Sequence, residues 1–226
     1  MLDSKTFFHL IDPTKNIIVA FSGGGDSTAL LNYCYELKQD NHLKGSLSAI
    51  HVNHSISPHA DLWEMHCKKF CSERDIPLVC ESIKVDGKKS GLESAARQGR
   101  YEVFKQNISS SDQLLLAHHA DDVAETLMFR LFRGTGIDGL SGPIKSRKLG
   151  EGILLRPWLD YSKSILISYL VDRELHYIED ESNASNNQDR NFIRNEILPL
   201  VSKRWPNANS QIQQTSSIIA QHLEVH

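Results

Sequence analysis

The chain has 226 residues, of which 40% are hydrophobic and 23% charged, enough for one large domain, or one domain with a helical appendage, around a real core. Its 25 Lys and Arg against 28 Asp and Glu leave a formal net charge of -3. That balance excludes a protein that grips nucleic acid by bulk charge alone, though not one with a local basic face.

In chain order, short apolar runs at residues 16–21 (NIIVAF), 47–53 (LSAIHVN), 76–80 (IPLVC) and 113–117 (QLLLA) predict four strands buried on both faces. Between them, apolar residues at helical spacing predict helices over residues 26–38, 60–73 and 92–106. A fifth helix is expected over residues 123–132, followed by a mobile, Gly-rich and basic loop over residues 134–152. Residues 153–157 (ILLRP) read as a last edge strand, because Pro157 cannot donate to a ladder. Ser162 is placed to cap a helix running to about residue 174, and residues 179–191 read as irregular. Helices over 191–201 and 207–223 close the chain. The alternation predicts an α/β fold, a parallel β-sheet sandwiched by helices with a small C-terminal helical segment. The division expected is residues 1–160 for the nucleotide domain and 161–226 for a helical extension completing it.

No basic segment followed by an apolar run opens the chain, and no apolar stretch is long enough to span a bilayer. The expectation is a cytoplasmic protein without a membrane partner. Cys34, Cys67, Cys71 and Cys80 contain no Cys-x-x-Cys pair. Buried reduced thiols are the expectation for them, with a zinc pair at Cys67 and Cys71 as the alternative.

The first strand runs straight into Ser22-Gly23-Gly24-Gly25-Asp26-Ser27, and a helix comes next. A helix start carries unpaired amide donors and the positive end of the helix dipole. Glycines let the backbone approach an anion, and the two serines add hydroxyl donors. A tight turn with spare glycines is the competing explanation. No Lys stands at the helix start and the spacing is not Gly-x-Gly-x-x-Gly, so neither a Walker loop nor a dinucleotide loop is present. The loop suits a pyrophosphate-like group. Gly134-Thr135-Gly136 is read as turn chemistry.

This Ser-Gly-Gly-x-Asp-Ser pattern resembles the loop of the N-type ATP pyrophosphatases, which cleave ATP between the α and β phosphates and form adenylated intermediates. Other blocks are similar to the tRNA(Ile)-lysidine synthetase family: His51-Val52-Asn53-His54 with Ala60-Asp61-Leu62-Trp63; Gly91-Leu92-Glu93 with Ala96-Arg97 and Arg100-Tyr101; and Ala117-His118-His119-Ala120-Asp121-Asp122 with Glu125-Thr126 and Arg133-Gly134. Arg156-Pro157, Glu179-Asp180-Glu181-Ser182-Asn183, Arg190-Asn191 and Arg194-Asn195 resemble the end of its catalytic domain, so the similarity runs from about residue 16 to 200. Family members carry further C-terminal domains that help hold the tRNA, and little lies beyond Leu223 here. The expectation is therefore an N-terminal part or a minimal form.

The resemblance implies a Rossmann-like, adenine nucleotide α-hydrolase-like fold. It also implies a reaction: ATP adenylates the C2 carbonyl oxygen of the first anticodon cytidine of tRNA(Ile) with a CAU anticodon, and the ε-amine of free L-lysine then displaces AMP. ATP and Mg²⁺ are the implied cofactors, with no metal ligand assigned; a homodimer is left open. Residues 22–27 would hold the leaving pyrophosphate, with Asp26 in the catalytic group, and adenine would lie near Val52 and Asn53. Arg97 and Arg100 would face phosphates. Of the paired carboxylates, Asp122 is favoured over Asp121 to bind the lysine ammonium and take its proton, although both are also good first-turn helix residues. His118, His119 and Glu125 are expected in the same site, with Arg133, Arg190 and Arg194 facing substrate in a locally basic second half. The loop at 134–152 is expected to close over the flipped base. Competing readings are a tRNA thiolation enzyme, disfavoured by the missing Cys-x-x-Cys pair, an ammonia-using synthetase, and a non-catalytic ATP-binding module.

Overall fold

The computed structural model describes residues 2–55, 57–84, 92–181, 185–186 and 188–225. Gly91, Ser182 and Asn183, which contribute to the family resemblance, lie outside the described residues.

A six-stranded sheet forms the centre, in the order β3-β2-β1-β4-β6-β5. Its strands are β1 (Asn16–Ala20), β2 (Leu47–Asn53), β3 (Leu78–Ser82), β4 (Asp112–Leu115), β5 (Ser146–Leu149) and β6 (Gly152–Leu155). β1 pairs in parallel with β2 and β4, and β6 in parallel with β4. Only the β5–β6 hairpin is antiparallel. The sheet is built from apolar residues that divide by parity between two cores. On one face Ile17, Val19, Phe21, Leu115 and Leu155 pack with α2 (Gly25–Gln39) and α7 (Lys163–Asp172). On the other, Ile50, Leu114 and Leu154 pack with Val103 and Phe104 of α4 (Leu92–Gln106).

α1 (Ser4–Phe8) closes the first core with Phe7, and α3 (Ala60–Ser72) adds Cys67, Phe70 and Cys71 to it. α5 (Ala120–Phe132) follows β4, and α6 (Ile137–Leu140) follows α5. The C-terminal segment holds α8 (Asp189–Phe192), a π-helical turn at Ile193–Ile197, α9 (Leu198–Arg204) and α10 (Ala208–Val225). α7 packs on α2 and α10 on α5.

Three expectations fail. Residues 134–152 are not one loop, since they contain α6 and β5, and β5 is the edge strand. The strand ending near Pro157 therefore lies inside the sheet, and Pro157 falls beyond it, where no ladder donor is needed. The expected buried strand at 76–80 sits two residues later, at the other edge, with Val79 42% exposed. An edge strand buries one face at most, and its pattern is not a continuous apolar run. Among the described residues, no helix is long and apolar enough to cross a membrane.

Leu154 is fully buried on the penultimate strand. Leu154→Ala is expected to lower the unfolding free energy by about 2–5 kcal/mol through the cavity left behind. Urea unfolding followed by circular dichroism measures it; a loss below about 1 kcal/mol would contradict this packing.

Candidate active site

The glycine loop lies at the carboxyl end of β1, the central strand. Gly23 adopts φ +85°, and a Cβ there would come within 2.9 Å of the Ile178 side chain. The positive φ favours glycine, and any side chain there would also have to displace the tip of Ile178. Gly24 is the N-cap of α2 and has no side chain to accept from the first-turn amides. Those donors stay available to an anion. The two serines brace the turn: the Ser22 and Ser27 hydroxyls are 3.0 Å apart, and Ser27 Oγ also receives the Ser22 N–H at 3.2 Å. From outside, Ile178 N–H donates to Gly23 O at 2.9 Å, and Ile178 forms a parallel bridge with Gly24. The sequence reading missed this strap. It lies 155 residues away, and neither residue type nor spacing signals it.

Beside the loop opens a cavity of about 310 Å³, lined by Asp26, Asp122, Glu125, Lys163, Arg194 and Asn209, with His119 and Asp121 in its wall. His119 is its hinge. It caps α5 in a reciprocal box, with His119 N–H donating to Asp122 Oδ2 at 3.0 Å and Asp122 N–H to His119 Nδ1 at 3.4 Å. Nδ1 thus accepts, so the proton sits on Nε2, 3.5 Å from Asp26 Oδ2 and 3.6 Å from Asp122 Oδ2. Burial works to lower the His119 pKa, but the Asp26, Asp122 and Asp121 carboxylates outweigh it and raise it. For Asp26 burial works upward, and the His119 hydrogen bond with the charges of His119, Lys163 and Arg194 wins, holding it low. Asp122 moves the other way: burial, helped by the Asp26 charge, raises it. Burial likewise raises Glu125, even though Arg194 contacts its Oε2 at 2.6 Å. Asp121 is engaged elsewhere, accepting Lys163 N–H at 2.8 Å and Asn209 Nδ2 at 2.7 Å, and so ties α5 to α7 and α10.

The two histidines do not share one site. His118 accepts Arg156 Nε at Nδ1, 2.9 Å away. Burial, then the charges of Arg156, Arg97 and Arg100, push its pKa down to about 3. Around it Arg97 and Arg147 lie over the Tyr101 ring, 5.2 and 4.8 Å from its centroid. Burial works to raise the Tyr101 phenol, but Arg97, Arg156 and Arg147 together lower it. A basic cluster therefore stands on one side of the β4 end and an acidic cavity on the other. Neighbouring residues of an extended segment point to opposite sides, which is how adjacent histidines come to serve both.

Asn53 is buried and its amide is engaged, donating to Glu64 at 3.0 Å and accepting Ser55 N–H at 2.9 Å, while half-buried Val52 packs against the second core. Neither joins the cavity. Arg190 and Arg133 flank the Phe129 ring, at 5.3 and 5.1 Å. The cysteines are free; Cys34, Cys67 and Cys71 are buried, and burial pushes the Cys71 thiol up to about 12. Among the described residues no group of three or more His, Cys, Asp or Glu could hold a metal. Of the site, sequence reasoning missed Lys163, Asn209 and the Arg156–His118 contact, which only the tertiary fold brings near.

A model of the PP-loop domain family matches residues 3–201. The chain belongs to the PP-loop family. That family membership supports ATP use by the domain. A tRNA(Ile)-lysidine synthase from Pseudomonas fluorescens is 42% identical over 199 residues, 88% of this chain and 45% of that one. One from Serratia proteamaculans is 39% identical over 212 residues, 93% of this chain and 48% of that one. This PP-loop chain thus spans about half the length of these relatives. Among solved structures, the U34-tRNA thiolase NcsA of Methanococcus maripaludis, with its 4Fe-4S cluster, is similar at TM-score 0.79 and 20% identity, covering 97% of this chain and 77% of that one. That likeness is one of fold.

The PP-loop geometry predicts that Gly23→Ala weakens ATP binding by at least about tenfold, because φ and space both oppose it. Gly136→Ala, in open space at φ -81°, should leave binding unchanged. Calorimetric titration with a non-hydrolysable ATP analogue checks both; equal affinities would remove the loop from the site.

Proposed function

We propose that this chain is the PP-loop portion of an enzyme that ligates free L-lysine to C2 of the first anticodon cytidine of tRNA(Ile) bearing a CAU anticodon, in the cytoplasm. The carrying observation is the acidic cavity beside the phosphate loop, with Asp26, Asp122 and Glu125 facing Lys163 and Arg194. An amino acid has an ammonium and a carboxylate, and this cavity offers partners for both. The names of the relatives support the same substrate pair.

In the proposed reaction the C2 oxygen attacks the α-phosphorus of ATP, the bridging P–O bond breaks, and pyrophosphate leaves onto the α2 amides. The lysine ammonium, between Asp122 and Glu125, gives up a proton. Its nitrogen attacks C2, and the C2–O bond breaks to release AMP. A carboxylate whose pKa is raised suits the proton acceptor better than a fully solvated one. Asp122 has that shift and Asp26 the opposite one. Asp26, 38% exposed at the first turn beside the loop, fits a Mg²⁺ site, since that ion uses one or two carboxylates plus phosphates. Bound there, Mg²⁺ would neutralise charge on the phosphates. The stack of Arg133 and Arg190 on Phe129, whose helix α5 also carries Asp122 and Glu125, suits an RNA strand beside the reacting base. A thiolation enzyme is less well supported, because no cysteine lines the cavity.

Asp122→Asn keeps an acceptor for His119 N–H but removes the base. It is expected to retain ATP binding and to lose lysine transfer by about 10²–10⁴-fold. Mass spectrometry of digested tRNA reads the product, and undiminished lysidine in the variant would remove Asp122 from the role. Pyrophosphate release with tRNA, lysine and ATP, each omitted in turn, separates the alternatives. The ligase needs all three, a thiolation enzyme ignores lysine, and a sensor releases none.

A further inference from the structure

We propose that Arg156 is a positioning residue that fixes His118 in the tautomer whose Nε2 carries the proton, presenting a neutral N–H donor to the phosphoryl oxygens during adenylation. This rests on the reaction proposed above.

Arg156 follows β6 and is 3% exposed. Its three contacts are all to neutral acceptors: Nε to His118 Nδ1 at 2.9 Å, Nη1 to Ile144 O at 2.7 Å and Nη2 to Tyr101 OH at 3.3 Å. No carboxylate pairs with it among the described residues. A buried cation without a counter-charge is an expensive way to hold a fold together, since a well-packed apolar residue does so at least as well. What the guanidinium gives instead is direction. It donates only, so the nitrogen it meets must present a lone pair. His118 Nδ1 is that nitrogen, and the ring proton is left on Nε2.

Every charged group that bears on the ring keeps it neutral: Arg156 from the end of β6, Arg97 and Arg100 from α4, and His119 from its own segment. Tyr101, from α4, is held by the same arginines. The ring therefore cannot act as an acid. It donates without transferring its proton. Continued beyond the strands, the β4–β1 register, in which Leu115 lies opposite Val19, brings His118 level with Ser22 at the start of the glycine loop, where charge would build on the non-bridging oxygens as pyrophosphate departs. A donor turned to that charge before the step would need no reorganisation in it.

The test is long-range ¹H–¹⁵N correlation of the protein labelled at histidine. In the unaltered protein His118 should show the Nε2–H pattern and should not titrate between about pH 5 and 8, where an ordinary imidazole does. Arg156→Met should mix the tautomers, bring titration into that window, and lower kcat for pyrophosphate release by roughly 10–100-fold with KM for ATP little changed. Arg156→Lys should restore part of both. Tyr101→Phe removes one Arg156 contact but not the His118 bond, and should leave the tautomer intact. A proton on Nδ1 in the unaltered protein, or titration inside the window, overturns the proposal whatever the variants do. So does an Arg156→Met protein with normal unfolding and an unchanged His118 spectrum. The spectra need no tRNA or lysine, so a protein with the stated tautomer but no lysine dependence would overturn the ligase reading alone.

Discussion

The site depends on one peptide bond, between His118 and His119, across which charge of opposite sign is divided. One ring is held neutral by burial and then by guanidinium groups, and the other is drawn toward its charged form, against burial, by carboxylates. Two charge clusters this close would largely neutralise each other as ion pairs if their side chains met. The end of β4 keeps them apart because successive side chains leave an extended backbone on opposite sides. The sheet then holds that separation rigidly, with Leu114 and Leu115 buried in different cores on either side of it.

The C-terminal helical segment is part of this arrangement. Asp121 reaches the first residue of α7 and Asn209 of α10. Arg194, on the π-helical turn, contacts Glu125. Single π turns recur at functional sites, because the extra residue rotates the next helical turn relative to the one before it. The strap at Ile178 closes the same set of connections from the other side, by holding the carbonyl of Gly23. Lys163, Arg194 and Asn209 thus supply walls to a cavity whose carboxylates stand on α2 and α5.

Much of this was legible in the sequence because it is local. The strand-glycine-helix order at residues 16–39 and the helix at 92–106 come from period and turn chemistry over short windows, and the structure reproduces them within a residue or so. The edges of the sheet were not legible. β5 carries Ser146, Arg147 and Lys148, which read as loop, because an edge strand needs no apolar run and charge protects it from pairing with another chain. The site divides likewise. Asp26, Asp122, Glu125, His119 and Arg194 were nameable from motifs, and the fold brings them together. That His118 turns away from its neighbour was not nameable, because the motif records adjacency and not side. Lys163 and Asn209 belong to no motif, and reach the cavity only through the packing of α7 and α10.

The division of charge also bears on the order of events in a two-step reaction. The first step concentrates negative charge on phosphates, and the second needs a cationic amine to lose a proton beside carboxylates. In one mixed pocket the amine would pair with the phosphates and the guanidinium groups with the acids, leaving neither step its partner. In the proposed reaction, with the clusters set on opposite sides of β4, the phosphates would meet donors that cannot lose protons at neutral pH, Arg97 and the neutral His118 among them. The amine would then meet Asp122, whose pKa burial raises while that of Asp26 is held low. Only the reacting carbon has to lie between them, and a base turned out of its stack is narrow enough to do so.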